Sequence, residues 1–229
     1  MEKLPKKRMF DKPVIWTTDA SGAAVCAQLG FITVIIDVID MSTSLEACRY
    51  LGASLILGAS PVRVNCPVKV APAKVAGYAL KYALENGKEI LIVTEPRHGK
   101  EWDREENAAE IISIINNGGG KIAAIVPNIG GEIGELAEIK DRVVIGVTAT
   151  GGTAFDAAFN ILADQRVTTA TVARVKGQNS HQLISATLSR ITHQALNYNT
   201  GVAFIAASRN SMEDILAAQY LAQQLTLHN

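Results

Sequence analysis

Two aspartates, Asp37 and Asp40, sit where an apolar run gives way to a hydroxyl-rich one in the stretch Phe31 to Arg49, FITVIIDVIDMSTSLEACR. Thr33-Val34-Ile35-Ile36 is β-branched throughout and predicts a short buried strand, so Asp37 falls where that strand hands over to a tight turn. An ionised carboxylate at the end of a buried strand needs a partner or a metal. Asp37 and Asp40 are spaced like two ligands on one turn, and hard carboxylates with water are what Mg²⁺ takes. Ser42, Thr43 and Ser44 follow at the expected helix start, where hydroxyls and free backbone N–H groups can hold an anion. The plainer role for Asp40 is to cap that helix.

The longest polar loop, Thr94 to Asp103, carries Glu95, Arg97, His98 and Gly99 and is expected to be irregular. His98 is the histidine best placed there to act as an acid or base. Further on, Thr148-Ala149-Thr150-Gly151-Gly152-Thr153 echoes the opening stretch: a β-branched strand, a hydroxyl-rich turn, and an acid inside the next helix, Glu46 in one and Asp156 in the other. Two anion-binding helix ends, one from each half, are one physical reading of that echo. Ser211-Met212-Glu213-Asp214 has the S-x-x-[DE] form of a capping box, which accounts for it structurally. Other chemistries lack their residues. Gly151-Gly152 is out of register for dinucleotide binding, no Gly-Lys-Ser/Thr marks a phosphate loop, and His98, His181, His193 and His228 form no zinc-binding pair.

The elements that must position these residues alternate. Strands are expected at 13–18, 33–36, 54–57, 89–93, 122–126, 143–147, 167–172 and 201–206. Helices are expected after Asp19 up to Gly30, at 43–51, 74–85, 107–115, 132–137, from the Gly151-Gly152 turn to 162, and at 180–196 and 211–225. Parallel strands need crossovers long enough to be helices, so the alternation predicts an α/β layered sandwich with a mostly parallel sheet, helices on both faces and room for two similar halves. A single domain over 1–229 is expected, with 1–12 as a basic arm around Lys3, Lys6, Lys7 and Arg8. The chain has 229 residues, 48% of them hydrophobic and 19% charged, enough for a large core in a soluble protein. A formal net charge of zero gives no reason to expect nucleic acid or an anionic membrane as partner. No apolar run has transmembrane length. Cys26, Cys48 and Cys66 lack disulfide or metal spacing, which fits a reduced cytoplasm, with Cys26 and Cys48 as core side chains.

Five stretches, in order, resemble the motifs of the 2-phosphosulfolactate phosphatase family. Asp37-Val38-Ile39-Asp40-Met41-Ser42-Thr43 is similar to its D-V-L-R-A-T-T strand end, and Glu95-Pro96-Arg97-His98-Gly99 to its G-E-R-G-G loop. Glu101-Trp102-Asp103 continuing to Asn107 resembles G-F-D-x-G-N-S-P, and Thr148 to Thr153 resembles T-T-T-N-G-T. Ser211 to Gln219 is similar to the closing S-L-E-D-x-x-A-A-G. Three positions depart: Asp40 and Ala154 stand where the patterns carry arginine, and Gly151 where they carry asparagine. The resemblance implies a Mg²⁺-dependent α/β hydrolase. The departures imply an altered anion site, and so a small phosphorylated acidic substrate other than phosphosulfolactate.

On that reading Asp37, with Asp40, is the catalytic candidate. Asp37, Glu95, Glu213 and Asp214 are the metal-ligand candidates, and Ser42, Thr43, Ser44, Arg97, Gly99, Gly151, Gly152 and Thr153 would contact the substrate. The competing expectation is a member of the same fold that binds a metabolite or partner without catalysis. A homodimer is expected from the prevalence of two-fold symmetry.

Overall fold

A computed structural model describes residues 10–227, so most of the expected basic arm, including Lys3, Lys6, Lys7 and Arg8, lies outside the described residues. Eight strands are present among these: β1 Val14–Thr18, β2 Ile32–Ile36, β3 Leu55–Ala59, β4 Ile90–Thr94, β5 Ile122–Pro127, β6 Val143–Val147, β7 Val167–Ala170 and β8 Val202–Ala206. The helices are α1 Asp19–Gln28, α2 Met41–Tyr50, α3 Pro72–Asn86, α4 Glu101–Asn107, α5 Ala109–Asn117, α6 Gly151–Leu162, α7 Ser180–Asn197 and α8 Met212–Leu227. The architecture is α/β and every ladder is parallel, as the alternation predicts. The strands divide, however, into two four-stranded sheets, ordered β1-β8-β2-β7 and β3-β6-β4-β5. A crossover helix looks the same in sequence whether it returns to its own sheet or passes to another.

Two crossovers make that passage. The β2-α2-β3 unit goes from the first sheet to the second, and β6-α6-β7 comes back. Both helices lie with α1 between the sheets, while α7 and α8 cover the outer face of the first sheet and α3 and α5 that of the second. Sandwiched helices have no solvent face. Residues Met41 to Cys48 of α2 and Gly151 to Phe159 of α6 are accordingly all buried. Glycines in the second sheet make room for them: a Cβ on Gly58 would stand 2.7 Å from the Phe155 Cβ, and one on Gly146 2.8 Å from the Met41 Cγ.

The two acids of the sequence echo fasten these inner helices. Both Glu46 carboxylate oxygens lie 3.1 Å from Arg190 Nη2, and Thr169 Oγ1 donates to one of them at 2.7 Å. Asp156 accepts from Ser60 N, Ser60 Oγ and Ala71 N at 3.1, 2.7 and 2.7 Å. Buried carboxylates satisfied in this way hold elements together.

The polar loop is shorter than expected, because Glu101–Asn107 is helical. Asp103 Oδ2 accepts from the Lys100 backbone N–H at 3.0 Å, and acids in a first turn favour a helix that hydrophobic periodicity does not reveal. The acidic segment after Gly130 forms a 3-10 turn, Gly130–Glu135. No helix of the described residues is long and apolar enough to cross a membrane. Cys26 and Cys48 are buried and unpaired, and burial pushes the Cys48 thiol up to about 12.

Candidate active site

Because both inner helices start where strands end, the carboxyl ends of the two sheets gather around the first turns of α2 and α6. Asp37 leaves β2 there and is 4% exposed. Its Oδ2 accepts from Thr150 Oγ1 at 3.0 Å and from the Gly151 N–H, the first of α6, at 2.9 Å. Oδ1 receives no hydrogen bond among the described residues and is not among their sealed, partnerless polar atoms, so it is the oxygen open to a ligand. The carboxyl is raised from 3.8 to about 7, first by burial and then by Asp214 and Asp40, against the Thr150 and Gly151 donors that lower it. No cation among the described residues contributes.

The S-x-x-D segment does more than cap. Asp214 N donates to Ser211 Oγ at 3.2 Å, as a cap requires, but the Asp214 carboxylate turns away and accepts from the Val38 N–H at 2.8 Å. That bond ties α8 to the turn after β2 and brings a second buried carboxyl beside Asp37, itself raised by burial. Glu213 stays exposed and accepts from Ser211 Oγ at 3.1 Å.

Asp40 occupies the N-cap position of α2 without making a side-chain cap. It accepts instead from Arg97 Nη2 at 3.2 Å. The same guanidinium donates to Ile39 O at 3.1 Å and, through Nε, to Asn128 O at 2.9 Å. Arg97 therefore straps the end of β5 in one sheet to the turn after β2 in the other. The Asp40 pair is more than a third exposed on both sides, so the strap is a weak one. Glu95 lies at the base of this loop, raised by burial and by Asp40 and lowered by the Ala149 N–H and Arg97. Gly99 contributes its carbonyl to Arg104 Nη1 at 3.3 Å, and His98 is exposed.

The hydroxyls expected to face a substrate are turned inward. Ser42 Oγ donates to Ile35 O at 2.9 Å and accepts from Asp37 N at 3.0 Å, fixing the turn that carries Asp37. Thr43 Oγ1 meets Val38 O and, at 2.8 Å, Thr171 Oγ1. Ser44 Oγ bonds Asn128 Oδ1 and accepts from Gly130 N at 2.9 Å. Thr153 Oγ1 donates to Thr148 O at 3.4 Å, and Gly152 N to Thr148 Oγ1 at 2.8 Å. Of the candidates, Asp37, Asp40, Asp214, Glu95, Arg97 and Gly151 are thus brought to one end of the fold, with Ser42, Thr43, Ser44, Gly152 and Thr153 as its internal frame. Two frame residues outside that set, Thr150 and Asn128, matter as much. Thr150 was legible as the residue before a helix start, whereas nothing local marks Asn128.

Gly151 has a strict steric role, since a Cβ there would lie 2.3 Å from Asp37 Oδ2. Gly151→Ala is expected to expel the carboxylate from its two donors and to cost about 1–3 kcal/mol of stability. Urea denaturation checks it, and an unchanged midpoint would show that Asp37 is not held by α6.

Among the described residues, no three His, Cys, Asp or Glu side chains are grouped so as to hold a metal ion by themselves. What the arrangement supplies is a proton-holding carboxyl near neutrality, a second carboxyl beside it, helix N-termini and one guanidinium. Comparison with protein-family models, with curated proteins and with solved structures finds no match, so the chemistry rests on this geometry.

Proposed function

We propose that the end of β2 is the catalytic centre of a Mg²⁺-dependent phosphatase-like hydrolase. Its substrate would be a small phosphorylated acidic metabolite, and the chain a divergent relative of the 2-phosphosulfolactate phosphatases. The observation that carries this reading is Asp37: a buried carboxyl with one oxygen pinned to the start of α6, the other open, and only like charges beside it. An uncompensated carboxylate cluster is a fit for a divalent cation. Mg²⁺ is commonly held by one or two carboxylates, with water and substrate phosphate completing its shell, so a three-residue cage is not required. Asp37 with Asp214 or Glu95 would hold it. When bound, it would supply the positive charge that draws in a phosphoryl group and stabilises charge building on its oxygens.

This chain's own residues do the rest. Thr150 and Gly151 fix the direction of the Asp37 carboxylate, and Ser42 fixes the backbone behind it. Without metal the raised carboxyl keeps a proton at Oδ1 near neutral pH; that proton would be displaced by a divalent cation held there, and the carboxylate kept ionised. Arg97, bound to Asp40 only weakly, is the guanidinium available to an anionic substrate.

The test is a panel of phosphomonoesters with Mg²⁺, alongside calorimetric titration of Mg²⁺. Turnover of at least one ester, dependent on Mg²⁺, is expected. Absence of both metal binding and turnover would sink the proposal. One observation favours a second reading, binding without catalysis: four hydroxyls at the helix starts are already engaged in the frame. Metal or metabolite binding with no turnover across the panel would favour it.

A further inference from the structure

The opposite end of the inner helices holds a second, differently charged place. A cavity of about 170 Å³ opens between the sheets at the first residues of β3 and β7, lined among others by Arg49, Tyr78, Asp164, Thr168 and Gln194. It has room for about five waters, or one tetrahedral oxyanion with some water, at about 30 Å³ per water.

Its charge is not balanced. Arg49 and Arg190 share the single carboxylate of Glu46, which is 2% exposed. Arg190 takes most of that carboxylate, at 3.1 Å to both oxygens, whereas Arg49 reaches it only at 3.4 Å through Nε. Asp164, the other acid on the wall, is already saturated: Arg166 Nε and Nη2 fork onto it at 2.7–3.1 Å and the Arg166 backbone N–H adds 2.8 Å. The helix carbonyls that end here are occupied too. Those of Ala47, Cys48 and Arg49 accept from Leu51, Ala53 and Gly52, and those of Phe159 and Asn160 from Ala163 and the Lys74 ammonium.

One acceptor of a lining residue is without a partner, Gln194 Oε1, but it is sealed away from solvent, whereas several donors are left over. Thr168 is 3% exposed, and its Oγ1 accepts from Arg190 Nη1 at 2.6 Å and from Arg49 Nη2 at 3.4 Å. Its own hydrogen finds no acceptor among the described residues. Arg49 Nη1 and the Tyr78 phenol likewise make no hydrogen bond there. A buried hydroxyl without an acceptor is costly, and a wall of donors around an excess cation is the complement of an oxyanion.

We propose that this cavity binds a small oxyanion, of the phosphate or short carboxylate class, through Arg49, Thr168 and Tyr78. The site is separate from Asp37, at the other end of α2, and its occupancy does not depend on the hydrolase reading.

The experiment is titration of the whole protein with inorganic phosphate, and separately with malonate, at constant ionic strength, read by calorimetry and thermal melting. Wild type and Asp37→Asn are expected to bind at least one of the two anions. Arg49→Gln should weaken that binding roughly ten- to a hundredfold, the effect of losing a charged hydrogen bond. Tyr78→Phe, a gentler change that keeps the ring, should weaken it several-fold, and it carries the test if Arg49→Gln fails to fold. Which anion binds tighter identifies the source chemistry. No binding of either anion overturns the proposal, as does binding that survives Arg49→Gln with Tyr78→Phe unchanged. Loss of binding in Asp37→Asn, with Arg49→Gln unaffected, would move the anion to the other end of the fold and overturn it as well.

Discussion

Asp37→Asn is expected to remove Mg²⁺-dependent phosphomonoester turnover, by on the order of 10²–10⁴-fold, while making the protein more stable in mildly alkaline solution. The two effects have one cause. In the folded chain the carboxyl is raised from 3.8 to about 7, so the native state holds its proton more tightly than the unfolded state does. The stability this confers is fully present below about pH 4 and is lost as pH rises through about 7. Asparagine cannot ionise, yet its carbonyl oxygen can still accept from Thr150 Oγ1 and Gly151 N. Relative to the variant, the wild type should therefore lose up to about 2–4 kcal/mol between roughly pH 4 and pH 8, and each kcal/mol moves the melting temperature of a chain this size by about 2–4 °C. Paired melts at the two pH values without metal measure this. Added Mg²⁺ should stabilise the wild type at the higher pH and leave the variant unmoved. A variant less stable than wild type at the higher pH would mean that Asp37 is a structural anchor and not a strained functional acid.

Glu46→Ala is expected to be the most destabilising single change, at about 3–5 kcal/mol. It removes the only carboxylate among the described residues that pairs with Arg190 and Arg49, and leaves Thr169 Oγ1 without its acceptor. Arg190 is already strained in this sense: its guanidinium is lowered to about 10, first by burial and also by Arg49, while Glu46 supports its charge. The double change Glu46→Leu with Arg190→Met should recover much of the loss, because apolar side chains of similar volume replace a buried ion pair well, while a variant that strands one charge does not. A double-mutant cycle in urea reads out the coupling. A cost for Glu46→Ala below about 1 kcal/mol would show that water reaches Arg190 and that the pair is a surface one in effect.

Much of the frame was legible before any coordinates. The β-branched runs are strands, and Gly87 ends α3 as a helix stop does, while the helix starts at Pro72, two residues before the 74–85 expected from periodicity. Asp37 stands out in the sequence because an ionised carboxylate at the end of a buried strand needs a partner or a metal. Other residues misled in both directions. Asp40 reads as a cap and makes none. Asp214 reads as a cap acid, and its carboxylate serves Val38, 176 positions away. Ser42, Thr43, Ser44 and Thr153 read as open hydroxyls and are closed into backbone carbonyls or other side chains. Glu101–Asn107 reads as loop because a short, exposed, acid-capped helix has no apolar stripe.

What the sequence by itself determined is therefore the order of elements, the parallel α/β class and the location of Asp37, since these follow from periodicity, turn chemistry and the cost of burying a charge. Only the tertiary structure decided that there are two sheets, that α2 and α6 run between them, and that Asp214 and Arg97 reach the end of β2. The physical reason is that side-chain hydrogen bonds depend on distance in space and leave no period in the chain. An acid that caps its own helix and one that closes a site from across the fold can be spelled with the same four residues.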